Sequence, residues 1–227
     1  MKIPPYVGDE GLSLGGMYYL LQKHQIKADI PKYQADVEIL PQPKFVTIAK
    51  MAEEISRGLI VANHQMGAEI GPRALGNRSI FYRPDMANAP KLFNIRGIKK
   101  REWWRPFAGV ILEEDAPYWF DMKGMKSSPF MSYAVKLKNP AEYGNKINSI
   151  LHNDYTCRIQ TVNSEQNLEL TNIIKTFKNI LPNNPPILGN TSFNKAGEPL
   201  IHTIDDAITS LKSNFIEYLY LPEEEKI

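Results

Sequence analysis

The 227 residues are 43% hydrophobic and 23% charged, with a net charge of +2 and one cysteine. That length and apolar content suffice for one well-buried domain with a short appendage, and they exclude general disorder. A lone Cys157 excludes an intramolecular disulfide and a thiolate zinc cluster; with no secretory apolar region after Met1 and no run long enough to span a bilayer, the expected setting is the cytoplasm, with no membrane partner.

In chain order, Pro4-Pro5-Tyr6-Val7-Gly8-Asp9-Glu10-Gly11 is rich in turn formers, and an apolar helix is expected over about residues 14–25. Residues 28–44 are polar and punctuated by proline, which reads as a linker. A helix over residues 45–57, closed by Gly58, precedes a short buried strand at 59–62. Strands are then expected at 107–112, 130–137, 157–162, 186–189 and 218–221, with helices at 165–181 and 204–213. That alternation predicts an α/β fold: a mixed sheet with packed helices and no internal repeat.

The charge is unevenly placed. Between Gly71 and Pro106 stand nine basic residues and two acidic ones, so this stretch carries +7. A solvated basic face would account for it, as would a polyanion site. Within it, Met66-Gly67-Ala68-Glu69-Ile70-Gly71-Pro72-Arg73-Ala74-Leu75-Gly76-Asn77-Arg78-Ser79-Ile80 combines glycines that permit close backbone approach with the planar forks of Arg73 and Arg78. It reads as an anion cradle, although it is neither a Walker A loop nor a dinucleotide fingerprint. Lys99-Lys100-Arg101-Glu102-Trp103-Trp104-Arg105-Pro106-Phe107 adds a lysine that can neutralise phosphate and two tryptophans, of which at least one is expected in the core. Interleaved bases and aromatics also suit single-stranded nucleic acid, a rival reading.

Arg158, on the alternating segment Cys157-Arg158-Ile159-Gln160-Thr161-Val162, faces either solvent or a ligand. The polar run Gly189-Asn190-Thr191-Ser192-Phe193-Asn194 follows a buried strand and can cap a turn or donate to a phosphate. His24, His64, His152 and His202 are dispersed, without a His-x-x-x-His pair, and no Gly-x-Ser-x-Gly elbow is present. Cys157 reads as packing. The chemistry indicated is anion binding and charge neutralisation.

Taken together, the 71–80 segment, Lys99-x-Arg101-Glu102-x-x-Arg105-Pro106-Phe107-Ala108, Ser128-Pro129-Phe130-Met131, Arg158-Ile159-Gln160-Thr161-Val162 and Asn190-Thr191-Ser192-Phe193-Asn194-x-x-Gly197-Glu198-Pro199 closely resemble the C-terminal part of the NodU/CmcH/TobZ family of O-carbamoyltransferases. The resemblance implies a YrdC-like domain over residues 45–227 that forms carbamoyl-adenylate from carbamoyl phosphate, ATP and Mg²⁺. It casts Lys99 and Arg105 as catalytic, with Arg73, Arg78, Arg101, Arg158, Asn190, Ser192 and Asn194 binding ATP and the carbamoyl group. Residues 1–27 are similar to the tail of the family's ASKHA-type metal-binding domain, so Asp9 would be an orphan iron ligand, completed only by an upstream half that supplies histidines and transfers the carbamoyl group to a hydroxyl. Nucleic acid is then not an expected partner. A non-catalytic subunit that completes a partner's fold is the remaining rival.

Overall fold

A computed structural model describes residues 12–26, 48–65, 67–96, 99–212, 216 and 218–222. Asp9, with the rest of the predicted metal-domain tail up to residue 11, and the predicted linker lie outside the described residues. In chain order the elements are helix α1 (Leu12–Lys23), α2 (Ile48–Ser56), strands β1 (Val61–His64) and β2 (Arg78–Tyr82), and α3 (Ala89–Lys91), which runs into a π-helical turn at Leu92–Arg96. There follow β3 (Ala108–Leu112), α4 (Ala116–Trp119), β4 (Phe120–Asp121), β5 (Ala134–Leu137) and α5 (Pro140–Tyr143). The chain continues through β6 (Thr156–Val162), α6 (Leu168–Ile180), β7 (Ile187–Ser192), α7 (Ile204–Lys212) and β8 (Tyr218–Tyr220).

The strands form one mixed sheet of eight, in the order β4-β5-β6-β3-β7-β2-β1-β8. β3 runs parallel to β6 and β1 parallel to β8, while β7 lies antiparallel to both β3 and β2. Both faces of the centre are covered, which is why β2 and β3 bury every residue. Successive side chains point to opposite faces. Phe81, Val110 and Leu188 therefore meet one cluster, with Met51 and Ile55 of α2 and Leu170, Ile173, Ile174 and Phe177 of α6. Ile80, Tyr82, Ile111 and Ile187 meet the other, with Phe93, Phe107 and Ile150. Asn167 caps α6 by accepting from the Leu170 amide at 2.9 Å. Each buried Leu, Ile or Phe on that helix contributes about 1.5–3 kcal/mol relative to exposure.

Four expectations change. β2 was not foreseen, because its sequence Arg-Ser-Ile-Phe-Tyr mixes a charge and a hydroxyl into what is a central strand. β5 starts only at Ala134, since Ser128 is first tied to β6: its amide donates to Thr161 Oγ1 at 2.7 Å and its hydroxyl to the Ile159 carbonyl at 3.0 Å. β7 continues to Ser192, so Asn190 and Thr191 are strand residues paired with Phe81 and Ile80. Trp103 and Trp104, expected to bury at least one ring, are both 62% exposed because they cap a tight loop that leads to β3 from outside the core.

Candidate functional site

The segments singled out by their chemistry converge on one edge of the sheet. β3 begins there at Ala108, beside Asn190 near the end of the antiparallel β7. The loop before β2 and the loop before β3 close over it.

The loop before β2 is built around a buried carboxylate. Glu69 Oε1 accepts from the amides of Leu75 at 2.6 Å and Asn77 at 2.8 Å, and Oε2 from Arg78 at 3.2 Å. Burial pushes the Glu69 pKa up, against the pull of those amides. Gly76 has φ +116°, and a Cβ there would collide with Leu170 Cδ2 at 2.6 Å, so glycine is required both for the turn and for the packing on α6. Asn63 Nδ2 donates to the Gly76 carbonyl at 2.6 Å and Asn167 Nδ2 to Asn77 Oδ1 at 3.2 Å, which ties the loop to β1 and the start of α6. The result places Pro72, Arg73 and Ala74 along a cavity.

The loop before β3 is organised by a residue that sequence reasoning missed. Asn94, fully buried in the π-helical turn, accepts from Arg101 Nε at 2.7 Å and donates to the Arg105 carbonyl at 2.9 Å. Its own carbonyl accepts from the Arg101 amide at 2.9 Å. Arg101 is thereby aimed, with its guanidinium 4.8 Å from the centre of the Phe107 ring. Lys100 adopts φ +40° in this loop and Met131, in the cavity lining, φ +53°, conformations that cost a side-chain-bearing residue about 1–2 kcal/mol each.

Between these loops lies a two-lobed cavity. The larger lobe, about 590 Å³, is lined by Arg73, Arg101, Arg105, His152 and Arg158, with Phe107, Phe130 and Tyr133 as walls. The smaller, about 130 Å³, shares Arg73, Arg101 and Arg158 and adds Asn190, Thr191 and Ser192. Among the described residues neither lining contains a carboxylate. Arg158 is accordingly perturbed: burial, then Arg73 and Arg101 beside it, lower its pKa to about 10. Its Nε is buried without a hydrogen-bond partner. Arg101 is lowered by burial and by Arg105. Arg105 pairs with Glu102 at 2.7 Å, both half exposed, an ion pair that water weakens.

At the floor of the smaller lobe, Asn190 Nδ2 faces Gln160 Oε1 at 3.3 Å and the Ala74 carbonyl at 3.4 Å, and its Oδ1 is buried without a donor. Gln160 is anchored in turn by its own donation to the Leu75 carbonyl at 2.7 Å. Cationic donors thus line the small lobe, and an unpartnered acceptor is buried in its floor.

Six of the residues expected from sequence, Arg73, Arg101, Arg105, Arg158, Asn190 and Ser192, line this cavity. Lys99 and Asn194 stand behind Ser192. Lys99 Nζ lies within hydrogen-bond reach of four acceptors that share its three protons: Ser192 Oγ at 2.8 Å, the Ser192 carbonyl at 2.6 Å, Asn194 Oδ1 at 2.8 Å and the Asn194 carbonyl at 3.0 Å. Burial, with Arg101 nearby, lowers the Lys99 pKa to about 7. Arg78 is placed elsewhere. It is fully buried on β2, and its guanidinium donates to the carbonyls of Gln65 at 2.8 Å, Ile201 at 3.1 Å and His202 at 3.3 Å, joining β1 to the segment before α7. Cys157 is buried and burial pushes its thiol pKa up, in keeping with packing. Among the described residues no three His, Cys, Asp or Glu side chains converge on a metal-sized site, and no helix is long and apolar enough to cross a membrane.

The family model described as "Carbamoyltransferase C-terminus" matches residues 52–224. The chain is 38% identical over 169 residues to nodulation protein NolO of Bradyrhizobium diazoefficiens, covering 74% of this chain and 30% of that protein. It is 36% identical over 172 residues to nodulation protein NolNO of Sinorhizobium fredii, covering 75% and 25%. It is 30% identical over 167 residues to the 3'-hydroxymethylcephem-O-carbamoyltransferase of Amycolatopsis lactamdurans, covering 74% and 30%. The chain thus spans less than a third of the length of these relatives, matching in each a part and not the whole.

Proposed function

The chain belongs to the carbamoyltransferase C-terminal family, and from that premise we propose that it forms carbamoyl-adenylate from carbamoyl phosphate and ATP within an O-carbamoyltransferase. The observation that carries this reading is the pairing of cationic donors with the unpartnered, buried acceptor of Asn190. A carbamoyl group offers an N–H donor to Asn190 Oδ1, and its attached anion suits Arg158 and Arg73. The larger lobe, with Arg101 and Arg105, has room for the polyphosphate.

Transfer at the α-phosphorus needs positioning and neutralisation of charge more than a nucleophilic side chain. Fixed guanidiniums on three separate segments supply both. Arg101 and Arg158 hold phosphate oxygens as the pentavalent arrangement develops. Arg105 guides the departing pyrophosphate at the open side. Lys99 orients Ser192 from behind, so that the hydroxyl bounds the carbamoyl pocket. ATP would arrive with Mg²⁺ on its phosphates; the cavity lining offers that ion no carboxylate, so no step is assigned to it.

The kinship to YrdC-like domains, the need for an upstream half that transfers the carbamoyl group to a hydroxyl, an iron held there with Asp9, and action in the cytoplasm belong to the same proposal. It is supported by the chain's matching only part of longer relatives. The test is ATP–pyrophosphate exchange dependent on carbamoyl phosphate. Wild type exchanges label, and Arg158→Gln and Asn190→Ala lose it while staying folded. Absence of exchange by folded wild type, alone and with the upstream half of a relative added, overturns the reading.

A further inference from the structure

His152 lines the larger lobe among the guanidiniums and is given no part in the reading above. Its surroundings fix its chemistry. Asp154 Oδ1 accepts from the Thr156 amide at 3.0 Å and from the Thr156 hydroxyl at 2.7 Å. These two donors hold the Asp154 carboxyl below the usual carboxylate range, so it is an acceptor only. Thr156 has one hydroxyl proton, and it is committed to Asp154. Yet Thr156 Oγ1 also lies 2.9 Å from His152 Nδ1. With the proton spent, that oxygen can only accept, so Nδ1 must carry a hydrogen and the neutral ring bears its lone pair at Nε2. Backbone bonds lock the turn: the His152 amide to the Thr156 carbonyl at 2.8 Å and the Tyr155 amide to the His152 carbonyl at 3.0 Å. An oriented carboxylate, hydroxyl and imidazole at the wall of a cavity whose charged lining is otherwise arginine is the arrangement of a general base.

We infer that His152 is the base that activates water against carbamoyl phosphate in this cavity. The inference rests on the adenylation reading and supplies a step which that reading needs. In carbamoyl phosphate the carbamoyl oxygen is already bonded to phosphorus. Before that oxygen can attack the α-phosphorus of ATP and release pyrophosphate, it must be freed. Water attacks the phosphorus, the bond from phosphorus to the carbamoyl oxygen breaks, and carbamate leaves with both electrons. Carbamoyl phosphate dianion and water become carbamate, hydrogen phosphate and one proton; Nε2 takes that proton and returns it to solvent through the open side of the lobe. The guanidiniums stabilise the phosphate and cannot themselves accept a proton near neutrality.

Carbamate can be supplied directly, because it is present at equilibrium in ammonium bicarbonate. Exchange is measured for wild type, His152→Gln and Thr156→Val with either carbamoyl phosphate or ammonium bicarbonate. His152→Gln is expected to lose about a hundredfold or more with carbamoyl phosphate and to stay within about twofold of wild type with carbamate. Thr156→Val, which frees the tautomer, loses about tenfold with carbamoyl phosphate alone. Equal losses with both substrates, or no loss with either, overturn the role of His152 and leave the adenylation reading standing. Wild type inactive with both substrates overturns the adenylation reading and this role with it.

Discussion

Arg158→Gln should make the unliganded protein more stable while removing its response to anions. Arg158 is mostly buried, faces Arg73 and Arg101, and has its pKa lowered from 12.5 to about 10. A shift of that size corresponds to roughly 3 kcal/mol against the charged form at about 1.4 kcal/mol per unit, and solvent entering the open lobe reduces the recoverable part to about 1–2 kcal/mol. The sign follows from linkage. The folded pKa lies below the unfolded one, both far above neutrality, so the penalty is constant at ordinary pH and fades only as pH rises through about 10. For a chain of this size, 1–2 kcal/mol is about 2–8 °C in Tm. Differential scanning fluorimetry with and without pyrophosphate reads both effects. Wild type should gain about 2.7 kcal/mol at a hundred times its Kd, and the variant far less. An apo variant less stable than wild type, or one with an undiminished pyrophosphate shift, would refute the idea that the site stores repulsion for an anion to relieve.

The remaining predictions concern other residues. Lys99, lowered to about 7, is neutral in the fold but still protonated when unfolded between about pH 7 and 10, so wild-type stability should rise with pH by up to about 3 kcal/mol from pH 7 to 9 while Lys99→Met stays flat; urea midpoints across that range decide it. Exchange activity should fall over the same interval as the ammonium that holds Ser192 and Asn194 discharges. Gly189→Ala should cost about 1–3 kcal/mol, because its Cβ would overlap the ring of the fully buried Tyr82, and a guanidinium chloride titration would show it. Tyr155→Gly should instead stabilise by about 1 kcal/mol, since Tyr155 holds φ +62° with a half-exposed ring, an outcome that a Tm increase of about 2–4 °C would register.

Much of the fold was legible because its signals are local. The helices carried apolar spacing suited to one covered face; α2 and α6 formed where expected, α6 shorter by a few residues at its ends. β2 was hidden because a central strand with both faces covered shows no alternation, and its first residue is an arginine. The same residue shows where charge misleads. Arg78 stands in a cluster of basic residues, yet its guanidinium meets backbone carbonyls from two distant segments, a fate set by sheet register and invisible in a linear pattern. Asn94 was unreadable for the converse reason: a lone asparagine has no periodicity, and its value lies in reaching both Arg101 and the Arg105 carbonyl after the π-helical turn has formed.

The site residues that sequence did expose share one property: they are guanidiniums and short polar groups on segments far apart in the chain. Arg73, Arg101 and Arg158 belong to three different segments, and only the pairing of β3 with β6 and β7 brings the latter two, with Asn190, to one edge. Their convergence without a carboxylate is costly to the fold, and nothing in local sequence preference favours it. Glu69 shows that the chain has carboxylates to spend nearby; it buries one to set backbone amides at 2.6–3.2 Å, and of the cavity arginines Arg105 is the one the structure pairs, with the half-exposed Glu102. A lobe that gathers Arg73, Arg101 and Arg158 with no carboxylate in its described lining, over the unpartnered acceptor of Asn190, is arranged for a small anion that also carries an N–H.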